Sequence, residues 1–114
     1  MPLDYFNTKT VLKYTKVEEM KFVGFWSYAP EDAQKTIDTW MASLEKRKKT
    51  PDIYPKTIFG PYQYNGRTEG FTCLEVDNPE QLTYLATDYI GVLSWEFVPI
   101  IANEEAAKIF SKHK

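Results

Sequence analysis

The chain contains one cysteine and one histidine, and each scarcity excludes a class of site. Cys73 alone cannot form an intrachain disulfide, which predicts an intracellular protein of the reducing cytoplasm. His113 is the second-last residue, where a catalytic base is seldom held within reach of its proton. We therefore expect no histidine-ligated haem, no metal site and no cofactor.

Long apolar runs and a one-sided charge are also missing. No apolar run has the length of a transmembrane helix, and the first residues lack the charged-then-apolar pattern of a signal peptide. The net charge is −2, and the densest basic run, residues 46–49, is expected to end a helix, where cations are favoured. A nucleic-acid-binding domain needs a broader basic face. The sequence therefore predicts neither a membrane nor a nucleic acid as a partner.

Aromatic residues, in contrast, are abundant: eight Tyr, seven Phe and three Trp. Such large side chains can fill a small core, line a ligand cavity or form a subunit interface. Composition alone favours the core and leaves the other two uses open.

The apolar pattern predicts a single domain over residues 20–114, preceded by an extension or arm at residues 1–19. Within the domain, strands and helices alternate in the order βαββαβ, at residues 21–28, 30–49, 57–64, 67–76, 79–90 and 92–101. A short C-terminal helix is expected to open at Asn103.

This order predicts an α+β, ferredoxin-like fold. Right-handed crossovers give a four-stranded antiparallel sheet of order 4-1-3-2 with both helices on one face. Pro61 cannot donate to a strand ladder, which suits the edge position of the second strand. Asn65-Gly66 predicts a two-residue hairpin turn that pairs Tyr62 with Glu69.

The open face, which is the side of the sheet that the helices leave uncovered, is predicted to be apolar. In the first strand, Val23 and Phe25 point to one side, and Phe22 and Trp26 to the other. A monomer seldom exposes an apolar surface as large as a sheet. The simplest cover is a second copy related by two-fold symmetry, so we predict a homodimer through the open face.

The element order, the aromatic first strand 21–28, and the ending Trp95-Glu96-Phe97-Val98-Pro99 before a short helix resemble the dimeric α+β barrel superfamily. Within it, the chain is similar to a small uncharacterised family with no assigned activity. The resemblance covers about residues 20–112 and implies a pocket between the helices and the sheet. Relatives in the superfamily include cofactor-independent monooxygenases, haem-degrading enzymes and lactone isomerases, so the fold does not fix the function.

Five aromatic residues are the candidates for lining such a pocket, because Trp and Tyr offer stacking area and hydrogen-bond donors to a flat ligand. They are Trp26, Tyr28, Trp40, Tyr62 and Trp95. Packing in the core or at the dimer interface is the alternative for each of them. Gly24 and Gly60 mark bulges or places where a ligand approaches the backbone.

Glu75 and Glu96 are weak candidates for a catalytic base, because both lie in otherwise apolar strands. The alternative is that each is solvated or paired with a cation such as Lys21 or Arg67. Cys73 is expected to act as a small apolar residue.

Three functions stay open. The first is binding of a small, partly aromatic organic molecule in an apolar pocket. The others are a cofactor-independent monooxygenase or isomerase that uses Glu75 or Glu96, and a structural or interaction module without a ligand.

Overall fold

The computed structural model describes residues 20–113. The arm predicted for residues 1–19 lies outside the described residues. The strands are β1 (Met20–Ser27), β2 (Lys56–Gln63), β3 (Glu69–Val76) and β4 (Ser94–Ile100). The helices are α1 (Ala33–Lys49), α2 (Glu80–Asp88) and α3 (Asn103–Lys112). Short 3-10 turns at Pro30–Asp32 and Pro51–Ile53 flank α1.

The four strands form one antiparallel sheet of order β2-β3-β1-β4. This is the predicted order 4-1-3-2 read from the opposite edge, so the α+β, ferredoxin-like prediction is confirmed, and so is the C-terminal helix. β2 lies at an edge, as Pro61 indicated.

Polar side chains fix where α2 begins. The Gln81 backbone N–H donates to Asn78 Oδ1 at 3.3 Å, while Gln81 Oε1 accepts from the Asp77 backbone N–H at 2.8 Å. This reciprocal arrangement is the logic of a capping box, in which backbone donors at the helix start find side-chain acceptors. Gln81 Nε2 also donates to the Asp52 carbonyl at 2.9 Å, which ties α2 to the turn before β2.

The hairpin between β2 and β3 corrects the predicted register. Tyr62 pairs with Phe71 rather than with Glu69. The reason is a longer turn, since the Tyr64 N–H donates to the Glu69 carbonyl at 2.9 Å and the four residues 65–68 lie between them. A bulge follows in β2, where Gly60 has a φ of 91° that other residues rarely adopt.

The core lies between the helices and the sheet. Its buried side chains are Tyr54, Leu74, Leu85 and Tyr89, and Trp95 and Phe97 pack against them.

The open face carries the other set of strand side chains. We define it by its apolar members: Val23, Phe25, Phe59, Tyr62, Phe71, Val98 and Ile100. Phe59 and Tyr62 are 52% and 55% exposed in the single chain. Among residues 20–113, no element covers this apolar surface enough to bury it.

Candidate functional site

A cavity of about 270 Å³ lies between the sheet and the helices. We call it the helix-side cavity. Its aromatic walls are Trp26 and Tyr28 from β1 and the residues after it, Trp40 from α1, Tyr89 from the end of α2, and Trp95 from β4. Aliphatic side chains complete much of the rest: Ile37, Leu74, Leu85 and Leu93. Such a lining, apolar with a few polar groups, is typical of a small-molecule site.

Two glycines let the indole rings lie close to the strands. A Cβ atom on Gly24 would lie 2.8 Å from the Trp95 ring. A Cβ atom on Gly70 would lie 2.6 Å from the Trp26 ring and would also collide with the Tyr62 carbonyl oxygen. The absence of a side chain at both positions therefore makes room for the two indoles. Gly24 lies beneath Trp95, and Gly60 forms the β2 bulge.

The polar ends of Trp26 and Tyr28 form hydrogen bonds within the protein. Trp26 Nε1 donates to Thr72 Oγ1 at 3.1 Å, and the Tyr28 hydroxyl donates to Gln63 Oε1 at 3.3 Å. The rings of Trp26 and Tyr28 stack with centroids 6.3 Å apart. This wall is thus held in place by contacts that need no ligand.

Trp95 differs from Trp26 in its hydrogen bonding. Its ring stacks on Phe97 with centroids 5.2 Å apart and meets the Tyr89 ring edge-on at 5.8 Å. Its Nε1 atom is buried and has no hydrogen-bond partner among the described residues. A buried donor without an acceptor costs about 1–3 kcal/mol.

Asp88 organises a polar cluster beside the cavity. Its carboxylate accepts hydrogen bonds from the Ser43 hydroxyl at 2.8 Å and the Tyr54 hydroxyl at 2.9 Å, and Lys46 Nζ lies 3.2 Å away. Burial and the hydrogen bond to Asp88 raise the pKa of Tyr54 to about 12. Burial also raises the pKa of Tyr89, although the charge of Arg47 opposes this shift.

Arg47 is the one charged side chain among the described residues that line the cavity. Its guanidinium lies over the Tyr54 ring, 5.8 Å from the centroid, which is a cation–π distance. Its Nε atom is buried without a hydrogen-bond partner, and no carboxylate within residues 20–113 lies within 4 Å to form an ion pair with it.

The structure brings four of the five predicted ligand-binding residues together around one cavity: Trp26, Tyr28, Trp40 and Trp95. Tyr62 lies elsewhere, because it pairs with Phe71 and shares the open face with it. Its ring is 4.9 Å from that of Phe59, on the side of the sheet away from the helices.

Neither catalytic candidate lines the helix-side cavity. Glu75 lies on the open face, where it is the register partner of Lys21 and Lys56. Glu96 is also on the open face and borders a second cavity at one end of the sheet, together with Glu69.

The remaining sequence candidates lie apart from the cavity. Cys73 is a partly buried free thiol in β3, and His113 is exposed at the end of α3. Within residues 20–113 no three His, Cys, Asp or Glu side chains gather in a way that could hold a metal ion. No helix in this part of the chain is long and apolar enough to cross a membrane.

Sequence reasoning missed Arg47, Ser43 and Asp88. The basic run was interpreted only as charge at a helix end, yet Arg47 continues a helical stripe that includes Thr36, Trp40 and Ser43. The spacing of 3.6 residues per turn places these four residues on one side of α1. Extending this stripe by one turn would have predicted that Arg47 faces the cavity. No nearby sequence pattern predicts the contact between Ser43 and Asp88.

The comparisons with known proteins identify a family but no activity. No curated protein and no solved structure matches the chain significantly. One family profile, described as "Domain of unknown function (DUF3303)", matches residues 20–114. The match spans most of the chain and the whole described domain, and the chain therefore belongs to the DUF3303 family.

Proposed function

We propose that the helix-side cavity binds a small, partly aromatic organic molecule. The observation that carries this proposal is the lining itself, in which three indole rings and two phenol rings surround one cavity of about 270 Å³. Flat rings of this kind provide stacking area for a planar ligand, at about 0.5–1.5 kcal/mol for each well-placed aromatic pair.

Two alternatives receive less support from the geometry. An oxygenase or isomerase that uses Glu75 or Glu96 as its base would need one of them at the helix-side cavity, and both lie on the open face. A purely structural module needs no cavity, and its core would be filled.

Calorimetric titration with a neutral aromatic probe, naphthalene-2-carboxamide, tests the proposal. Ile37 lines the cavity and is 51% exposed, so replacing it with Trp narrows the space while leaving the buried core intact. We expect saturable binding to the unchanged protein and at least a 10-fold loss in Ile37→Trp. Ile109→Trp is the matched control, because Ile109 is 50% exposed and lies on α3, away from the cavity. Equal binding by both variants would refute the proposal.

We also propose that the protein is a homodimer joined through the open face. Apolar side chains from all four strands lie there, and five of them are more than a third exposed: Phe25, Phe59, Tyr62, Val98 and Ile100. A two-fold axis brings the same apolar patch of each copy onto the other. Glu75 lies opposite both Lys21 and Lys56 in the strand register. Opposite charges on the open face therefore offset one another within each copy, before two copies associate.

A further inference from the structure

We infer that the ligand is an aromatic carboxylate whose carboxylate group is held by Arg47. The inference deepens the proposed function and rests on it, since it names the chemical class that the helix-side cavity takes. Arg47 supplies the positive charge at this cavity, and no acidic residue in the described part of the chain lines it.

The neighbouring cations of the same basic run are engaged elsewhere. Lys46 lies 3.2 Å from the Asp88 carboxylate, and its side chain is 60% exposed. Lys48 lies 3.4 Å from Glu45, and its side chain is 74% exposed. Arg47 alone turns from this run to the cavity, where it lies half-buried over the Tyr54 ring.

The charge of Arg47 is not balanced by a direct partner. Asp88 is the carboxylate of the adjoining polar cluster, and it already accepts from Ser43, Tyr54 and Lys46. A half-buried guanidinium without an ion pair is costly, because burial removes part of its hydration. A bound anion would replace that hydration with a charge-assisted hydrogen bond.

The shape of the Arg47 guanidinium suits a carboxylate. Arg47, Tyr89 and Trp95 all line the cavity. Tyr89 meets the Trp95 ring edge-on at 5.8 Å, and its pKa responds to the charge of Arg47. A carboxylate offers two oxygens as acceptors, and the planar guanidinium matches them with two parallel N–H groups.

The charge balance favours a carboxylate over a phosphate. One guanidinium neutralises the single charge of a carboxylate, whereas a phosphate monoester carries between one and two negative charges at neutral pH. No second cation lines the cavity in the described residues to balance the remainder. The aromatic part of the ligand would then lie among Trp26, Trp40 and Trp95.

The test compares two probes of nearly the same shape, naphthalene-2-carboxylate and naphthalene-2-carboxamide, by calorimetric titration. In the unchanged protein we expect the carboxylate to bind about 10-fold more tightly or better, as a charge-assisted hydrogen bond predicts. Arg47→Met should bring the ratio of the two affinities close to one. Arg47→Lys keeps the charge without the planar fork and should retain part of the preference.

Lys48→Met is the matched control, because it removes one positive charge from the same helix at an exposed position and should keep the full preference. Thermal unfolding monitored by circular dichroism shows whether each variant is folded, and Arg47→Lys replaces Arg47→Met if the latter is not. Equal affinity of the unchanged protein for both probes would overturn the carboxylate inference and leave the proposed function standing. A preference that survives in Arg47→Met would overturn it as well. Failure of both probes to bind the unchanged protein would refute the proposed function itself.

Discussion

The Ser43 hydroxyl donates a hydrogen bond of 2.8 Å to the Asp88 carboxylate across 45 positions of sequence. The bond joins α1 to the end of α2, and the Tyr54 hydroxyl donates to the same carboxylate oxygen at 2.9 Å. Ser43 is 1% exposed, and the Asp88 side chain is 9% exposed. Little water competes for hydrogen bonds between buried groups, so this cluster holds the two helices together beside the cavity.

Removing the Asp88 carboxylate should destabilise the fold strongly. In Asp88→Ala the hydroxyls of Ser43 and Tyr54 both lose their acceptor, and we expect a loss of about 2–4 kcal/mol in the free energy of unfolding. Urea denaturation measures it. Asp38→Ala is the control, since that exposed carboxylate bonds only to Gln34 on the same helix and should cost under about 0.5 kcal/mol. Similar losses in the two variants would contradict the role assigned to the cluster.

Stability should fall between pH 10 and pH 12. The pKa of Tyr54 is about 12 in the folded protein and near 10 when unfolded, so the folded state holds the proton more tightly. The stabilisation is complete below pH 10 and is lost as the pH rises to 12, with about 1 kcal/mol gone at pH 11. Urea denaturation at pH 9 and pH 11 measures this. Tyr54→Phe should lower stability at both pH values and show a smaller difference between them; an unchanged difference would contradict the assignment.

A side chain at Gly70 should disturb the cavity as well as the fold. The methyl group of Gly70→Ala would meet the Trp26 ring and the Tyr62 carbonyl, and we expect a loss of about 1–3 kcal/mol or more. Displacement of Trp26 should also weaken binding of naphthalene-2-carboxamide. Ser27→Ala, an exposed neighbour on β1 next to Trp26, is the control and should change neither quantity. Unaltered stability and binding in Gly70→Ala would show that the position of Trp26 does not depend on the absence of a side chain at residue 70.

A charge on the open face should prevent dimer formation. Phe59→Asp places a carboxylate in the apolar patch, and its burial against a second copy would be unfavourable. We expect sedimentation analysis to give a dimer for the unchanged protein and a folded monomer for Phe59→Asp. Ile90→Asp is the control, because Ile90 is 75% exposed and lies after α2, outside the sheet. A monomeric unchanged protein would contradict the covered-sheet interpretation.

The sheet could be predicted from sequence because it depends on local patterns. Alternation of apolar residues placed Trp26 on the side opposite Val23 and Phe25, and the strand registers keep it there. Pro61 was enough to place β2 at an edge.

The site depends on contacts between distant segments, and these left weaker signals. The turn after Tyr64 is longer than Asn65-Gly66 alone suggests, and the Tyr28 N–H donates to the Thr68 carbonyl within it. Arg47 belongs to a basic run in the last turn of α1, and the favourable position of cations there was sufficient to explain the whole run. Nothing in the sequence around Asp88 distinguishes it from other acidic residues, because its role depends on contacts with α1 and Tyr54.

Nuclear magnetic resonance of the three tryptophan indole N–H groups tests the proposed cavity most directly. Naphthalene-2-carboxylate is added stepwise to protein labelled with nitrogen-15. We predict saturable changes in the chemical shifts of the indole protons of Trp26, Trp40 and Trp95, because all three rings line the cavity. An unmoved Trp95 indole, with shifts absent or confined to open-face residues such as Phe59, would contradict binding in the helix-side cavity.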